Sequence, residues 1–266
     1  MAALGAAQLI AFWPVWRWCA VRAADTPEGL WSLLPLAVLL LLLFGTKPSP
    51  GLVRHRLQLP TVLLLLYSGS YWFVPPLIRA AIAMLALSSW ASALWRGRVI
   101  DFGIAGLLFV SLPVVTTLQV YVGFQLRLVA THLTAPVLRL AGFPVLAEGT
   151  SLNWAGNTVL VDAPCSGIKM LWAGFFLTFA LASFLRLDNA RCLIAVLGTF
   201  VVVVLGNVFR AVGLFYLESR IIEGPGWAHD AMGALAFVLT ALLLVALITV
   251  LERIRRCVRS TCSLAS

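Results

Sequence analysis

The sequence predicts an all-α polytopic membrane protein with about eight transmembrane helices. Of the 266 residues, 62% are hydrophobic and only 11% are charged, whereas about a quarter of a soluble domain is charged. Several apolar runs exceed the roughly 18 residues that indicate a bilayer span. The polar stretches between them are too short for a separate soluble domain. Residues 1–266 are therefore predicted to form a single transmembrane domain.

The predicted spans follow one another along most of the chain. The first segment lacks the basic start and the cleavage site of a signal peptide, so we expect it to be retained as a helix. Pro75 and Pro76 separate two short passes. The eight predicted segments are residues 4–20, 29–45, 60–76, 77–95, 102–120, 166–185, 192–217 and 231–251.

Residues 121–165 have a more mixed composition and separate the fifth predicted span from the sixth. Their first part, "YVGFQLRLVATHLTAPVLRLAGF", is typical of an amphipathic helix at the membrane interface. Their second part, "VLAEGTSLNWAGNTVLVDAPC", contains Gly and Asn between short Leu/Val runs. This pattern predicts a short β-like loop of two strands around a turn at "WAGN". We expect 121–165 to lie at the outer face.

The basic residues predict the orientation in the membrane, because Lys and Arg favour the cytoplasmic loops. With a cytoplasmic N-terminus, eleven of the 19 basic residues fall in short inner loops. The net charge of +9 is therefore interpreted as a topology signal rather than as a nucleic-acid surface. The eleven residues are Lys47, Arg54, Arg56, Arg96, Arg98, Arg186, Arg191, Arg253, Arg255, Arg256 and Arg259.

One of the five cysteines has polar, turn-forming neighbours. Cys165 lies in "VDAPCSGIKMLW", where Pro164 and the pair Ser166-Gly167 precede an apolar run. At a helix N-terminus, the helix dipole and free N–H groups favour the thiolate. The odd count and the lack of a C-x-x-C pair argue against a disulfide framework or a zinc site. An inert structural cysteine is the alternative interpretation.

Two further reactive residues are predicted at the same depth as Cys165. Arg210, in "GNVFRAVG", lies about 28 Å along the helix from Arg191 at 1.5 Å per residue. Asn207 precedes it by one turn, and ionisable groups within spans are candidates for function. His229 lies just before the last predicted span. The alternative interpretation of Arg210 is an arginine that only extends its charged end to the membrane interface. The alternative interpretation of His229 is an exposed loop histidine.

Cys165, His229 and Arg210 together match the needs of a cysteine nucleophile. Such a site requires a thiolate, a proton donor for the leaving group and positive charge for the oxyanion. Motifs for zinc, phosphate or dinucleotide binding are absent from the sequence, and we predict no metal and no cofactor. Two other classes stay open: a non-catalytic transporter or scaffold, and a cysteine-dependent membrane acyltransferase.

Three stretches in this order resemble the signatures of the exosortase/archaeosortase family. They are "EGTSLNWAGNTVLVDAPCSGIKML", "GNVFRAVG" and "HDAMG". The family comprises polytopic membrane enzymes regarded as cysteine transpeptidases. The resemblance implies that Cys165 is the nucleophile of the "CSGI" motif, that Arg210 belongs to the N-x-x-R motif, and that His229 is the family's histidine.

The resemblance also implies a substrate, a location and supporting residues. The substrates would be secreted, membrane-tethered proteins with a C-terminal sorting signal, cleaved at the outer face of the cytoplasmic membrane and transferred to an acceptor. We expect Asn207, Ser166, Gly167 and Lys169 to bind substrate or support the catalytic residues. The sequence departs from the family pattern at Pro164, where Ala is frequent, and at Lys169, where Arg is frequent. Lys169 keeps a cation there but lacks the bidentate fork of arginine.

Overall fold

The computed structural model describes residues 2–48, 54–162, 166–219, 221–222 and 224–264, and these are mostly helical. Two 3₁₀ turns, Pro27–Ser32 and Arg54–Leu57, precede α3 and α4. The elements of the described residues are α1 (Ala2–Ala11), α2 (Trp13–Ala24), α3 (Leu33–Phe44), α4 (Gln58–Ser70), α5 (Pro76–Trp95), α6 (Phe102–Val110), α7 (Val115–Tyr121), α8 (Gly123–Leu140), β1 (Leu146–Glu148), β2 (Ser151–Trp154), β3 (Asn157–Leu160), α9 (Ile168–Phe184), α10 (Asn189–Glu218) and α11 (Ala228–Leu264).

The helix lengths correct the predicted count of about eight spans. Among the described residues, three helices are long and apolar enough to cross a membrane: α5, α10 and residues Ala228–Arg256 of α11. A fourth candidate is the pair α6 and α7, which are bent by 83°. These helices make the chain a helical membrane protein, with three or four candidate spans by length and composition.

Prolines account for much of the difference in length between the predicted apolar runs and the observed helices. Proline lacks a backbone N–H and its ring clashes with the preceding turn, so it interrupts a helix. Pro14 lies where α1 gives way to α2, and Pro113 lies in the bend between α6 and α7. The run 60–76 ends as a helix at Ser70, before Pro75 and Pro76. A hydropathy pattern therefore overestimates the length of these helices.

The chain divides into two compact units, of which the first contains Met1–Pro113 and Phe179–Ile194. Helix α5 contributes much of the core of this unit, with small residues such as Ala80, Ala83 and Ser88 fully buried. Asp101 caps α6, since its Oδ1 accepts a hydrogen bond from the Ile104 N–H at 3.2 Å.

Asp188 caps α10 within the same unit, and its Oδ1 accepts a hydrogen bond from the Arg191 N–H at 2.9 Å. Burial alone would raise the pKa of Asp188, but hydrogen bonds from the backbone and guanidinium of Arg191 lower it overall.

The second unit contains Val114–Thr178 and Ala195–Ser266. It includes a three-stranded antiparallel sheet in the order β1-β2-β3, one strand more than the sequence predicted. The hairpin between β2 and β3 reverses at Ala155 and Gly156, both with positive φ, as type I′ turns require. One apolar core contains Leu138 of α8, Leu152 of β2 and Phe215 of α10. This core fixes the sheet beside the C-terminal half of α10.

Candidate active site

Close contacts at glycines hold α10 and α11 together in antiparallel orientation. A Cβ built on Gly206 would lie 2.0 Å from Thr240 Oγ1, and one on Gly213 would lie 2.2 Å from Met232 Cε. No larger side chain fits at these positions unless its neighbour moves. The glycines therefore set the distance between the two helices that contain Arg210 and His229.

The guanidinium of Arg210 faces Gly233 of α11. A Cβ built on Gly233 would lie 3.5 Å from Arg210 Nε and 3.7 Å from Cζ, which is ordinary van der Waals contact. Gly233 follows His229 by four residues and shares its helix face. Arg210 is half-buried, and α10 continues eight residues beyond it to Glu218. The structure thus brings Arg210 to the face of α11 on which His229 lies, one turn away.

His229 lies in the first turn of α11, whereas the sequence predicted it just before the helix. Its Nε2 is 3.9 Å from Glu218 Oε1 at the end of α10, and its Nδ1 is 3.6 Å from Asp230 Oδ1. Both distances exceed a hydrogen bond, and the imidazole is 46% exposed. The ring therefore has a carboxylate nearby and stays open to a reactant.

Cys165 lies outside the described residues, as does Pro164, but the two residues that follow the cysteine are described. Ser166 is buried and its Oγ donates a hydrogen bond to Gln119 Oε1 at 2.9 Å. Gly167 has φ +79°, a conformation that side chains with a Cβ rarely adopt. The turn before α9 is therefore fixed by the hydrogen bond from Ser166 to Gln119 and by the left-handed backbone conformation of Gly167.

Gly167 lies against Asn207 of α10. A Cβ built on Gly167 would lie 3.0 Å from Asn207 Cγ and 3.2 Å from its Nδ2. Asn207 is buried and precedes Arg210 by three residues on the same helix face. Gly167 of the "CSGI" motif and Asn207 of the N-x-x-R motif are therefore neighbours. Lys169 is exposed in the first turn of α9.

A narrow, mostly apolar cleft adjoins this contact. Ser166, Gly167 and Asn207 supply its polar part, and α8, α9 and α10 supply apolar walls that include Leu126, Val129, Leu171, Phe200 and Val203. Its volume is about 20 Å³, which is room for about one water molecule.

Two residues near the candidate site were not predicted from the sequence. Glu218 is one of the acids outside the helix centres, and only the packing of α10 on α11 brings it to His229. Gln119 is a polar residue in the predicted fifth span, and that position is the signal that could have singled it out. Within the described ranges, no three His, Cys, Asp or Glu side chains converge on a possible metal position.

Helical architecture and apolar spans define the class as a polytopic helical membrane protein. The sequence model of a protein family described as transmembrane exosortase matches residues 4–246, which include every candidate residue named above. The chain therefore belongs to the transmembrane exosortase family. No curated protein and no solved structure matches it.

Proposed function

We propose that this chain is a membrane-embedded cysteine transpeptidase. It cleaves the C-terminal sorting signal of secreted, membrane-tethered proteins at the outer face of the cytoplasmic membrane and transfers the product to an acceptor. The observation that carries the proposal is the position of the Arg210 guanidinium, which faces Gly233 of α11 one turn from His229. Membership of the exosortase family supports the same reaction class.

The first half-reaction forms an acyl-enzyme. The Cys165 thiolate attacks the carbonyl carbon of the scissile peptide bond, and a sulfur–carbon bond forms. As the carbon–nitrogen bond breaks, the protonated imidazole of His229 gives its proton to the departing amine. Arg210 stabilises the negative oxygen of the tetrahedral intermediate or holds a carboxylate of the substrate, and its fixed fork suits either ligand.

The second half-reaction releases the thiol. The neutral imidazole of His229 takes a proton from the acceptor nucleophile, which attacks the thioester and displaces the Cys165 thiolate. Asn207 positions Arg210 from one turn before it on α10. Ser166 and Gly167 shape the turn beside Asn207, and a glycine at this position allows close approach of a substrate backbone.

A nucleophile near the membrane surface suits a tethered substrate. The substrate's own helix holds the cleavage site at the depth where that helix leaves the bilayer. This confinement supplies orientation and effective concentration without a large binding surface. The partners are therefore membrane-tethered proteins and the lipid bilayer itself.

Processing of a tethered reporter tests the proposed function. We expect Cys165→Ala to abolish cleavage of a secreted reporter that ends in a sorting signal, while the variant still inserts in the membrane. The control is Cys19→Ala, which removes a half-buried thiol from α2 and is expected to cleave normally. Normal processing by Cys165→Ala would favour the scaffold or transporter class.

A further inference from the structure

A large open cavity lies in the first unit, on residues to which the proposed reaction assigns no role. Its volume is about 430 Å³, within the range for small-molecule pockets. It lies beside α2, where α4 ends and α5 begins. Its described lining residues are Trp13, Pro14, Val15, Arg17, Trp18, Val21, Tyr67, Tyr71, Pro76 and Arg79.

Buried donor groups at this cavity have no acceptor in the described part of the chain. Tyr67 is 2% exposed, and its hydroxyl has no hydrogen-bond partner among the described residues. The same holds for the buried Nε of Arg79, whose guanidinium lies 4.6 Å from the ring centroid of Tyr71. Buried polar groups without partners are costly, so a ligand with acceptor oxygens would be stabilised here.

The charge of the lining indicates an anionic ligand. Arg17 and Arg79 both line the cavity, and none of its ten described lining residues is Asp or Glu. The planar guanidinium presents a fork of N–H donors that matches phosphate oxygens. A phosphate could therefore accept hydrogen bonds from Arg79 and from the Tyr67 hydroxyl.

The apolar part of the lining indicates where that phosphate comes from. Trp13, Trp18 and Tyr71 contribute aromatic surface, and Trp72 and Phe73 beside them are each 87% exposed. Tryptophan and tyrosine are enriched at the depth of lipid headgroups. A headgroup phosphate with its glycerol and upper acyl chain would match both the cations and the aromatic wall.

We propose that this cavity binds the phosphate group of an anionic membrane phospholipid. Arg79 and Arg17 contact the phosphate oxygens, Tyr67 donates its hydroxyl proton, and the tryptophans pack against the glycerol and the first carbons of the acyl chains. The lipid links the start of α5 to α2 and stabilises the first unit. This proposal does not depend on the transpeptidase reaction.

Lipid exchange on the full-length protein tests the site. The purified chain in neutral detergent is titrated with phosphatidylglycerol, with phosphatidylcholine or with inorganic phosphate, and the unfolding temperature and the bound lipid mass are measured. Arg79→Gln is compared with Arg79→Lys, Tyr67→Phe and the control Arg253→Gln, which removes an exposed arginine of α11. If Arg79→Gln does not fold, Arg79→Lys and Tyr67→Phe still test the site.

The expected result is that phosphatidylglycerol raises the unfolding temperature and stays bound during mass measurement. Arg79→Gln and Tyr67→Phe each bind it about tenfold more weakly, because a hydrogen bond to a charged group is lost. The affinity of Arg79→Lys for phosphatidylglycerol lies between that of these two variants and that of the wild type. Arg253→Gln binds the lipid as the wild type does.

A response to inorganic phosphate alone would assign the site to free phosphate instead of lipid. Equal binding of phosphatidylglycerol by wild type and all variants, or no response to either ligand, would overturn the proposal.

Discussion

Arg210 is the residue whose surroundings define the candidate site most closely. Its guanidinium faces Gly233 of α11, and a Cβ added at this glycine would still lie at ordinary van der Waals distance from it. The guanidinium is therefore directed towards the face of α11 on which His229 lies, one turn away. This placement favours a role in which the position of the guanidinium matters, over an arginine that only extends its charge to the membrane interface.

The exchange of Arg210 for lysine distinguishes an arginine that only reaches the interface from one whose guanidinium geometry is needed for the reaction. Lysine keeps the charge but loses the planar fork, so Arg210→Lys is expected to insert and fold but to turn over a tethered substrate roughly 100- to 1000-fold more slowly. Asn207→Ala is expected to be milder, since Asn207 supports Arg210 from one turn away. Turnover by purified variants in lipid is the measurement. An active Arg210→Lys beside an inactive Asn207→Ala would reverse the two roles.

Glu218 is expected to act as a positioning residue for His229. Its carboxylate oxygen Oε1 lies 3.9 Å from the imidazole Nε2. Glu218→Gln is expected to keep the fold and to lower the turnover of a tethered substrate while its KM stays close to that of the wild type, because the neutral amide orients the imidazole less firmly than the carboxylate does. Asp230→Asn, at a side chain that is 93% exposed, is the control and is expected to change turnover less. Equal turnover by wild type and Glu218→Gln would rule out this role.

At the scale of elements, the glycines between α10 and α11 set the spacing of the site. A methyl group on Gly206 would collide with Thr240 Oγ1, which already donates a hydrogen bond to Ala236 O. Threonine is stiff at χ1, so the hydroxyl cannot easily turn away. The collision therefore pushes the two helices apart along the stretch that contains Arg210 and His229.

Gly206→Ala is expected to destabilise the protein by about 1–3 kcal/mol, the usual cost of an overpacked contact. It should also lower turnover, because Arg210 and His229 move relative to each other. Thermal unfolding in detergent and turnover in lipid measure both effects. Gly69→Ala is the matched control, since a Cβ on this helical glycine meets nothing within 4 Å. Equal stability of the two variants would show that the spacing is not fixed by Gly206.

The sequence predicted long elements better than short ones. The apolar runs at 77–95, 192–217 and 231–251 correspond to α5, α10 and α11, where apolar residues continue without a break. The sequence did not predict where α1 and α6 end, because a proline interrupts the helix within a run that is otherwise apolar. It also did not predict that α4 ends at Ser70.

The motif residues could be found because charged and reactive groups stand out in an apolar chain. The contacts of Arg210 with Gly233 and of His229 with Glu218 could not, since they depend on how α10 packs on α11.

At the scale of the whole molecule, the excess of basic residues in short inner loops predicts the orientation. A reporter fused after Ser266 is expected to be cytoplasmic, and one inserted near Gly224, between α10 and α11, is expected to be external. Alkaline phosphatase and green fluorescent protein fusions measure the two sides. The reverse pattern would move the proposed reaction to the cytoplasmic face, while leaving the Arg210–Gly233 contact unchanged.

Direct identification of the group attached to Cys165 tests the transpeptidase proposal most directly. The full-length protein is incubated in lipid with a tethered substrate labelled on the N-terminal side of the scissile bond, quenched in acid and analysed by peptide mass spectrometry. We predict a labelled peptide on Cys165 through a thioester that hydroxylamine removes, and none on Cys19. A lipid acyl chain on Cys165, or cleavage of the substrate with Cys165 left unmodified and replaceable by alanine, would contradict the account.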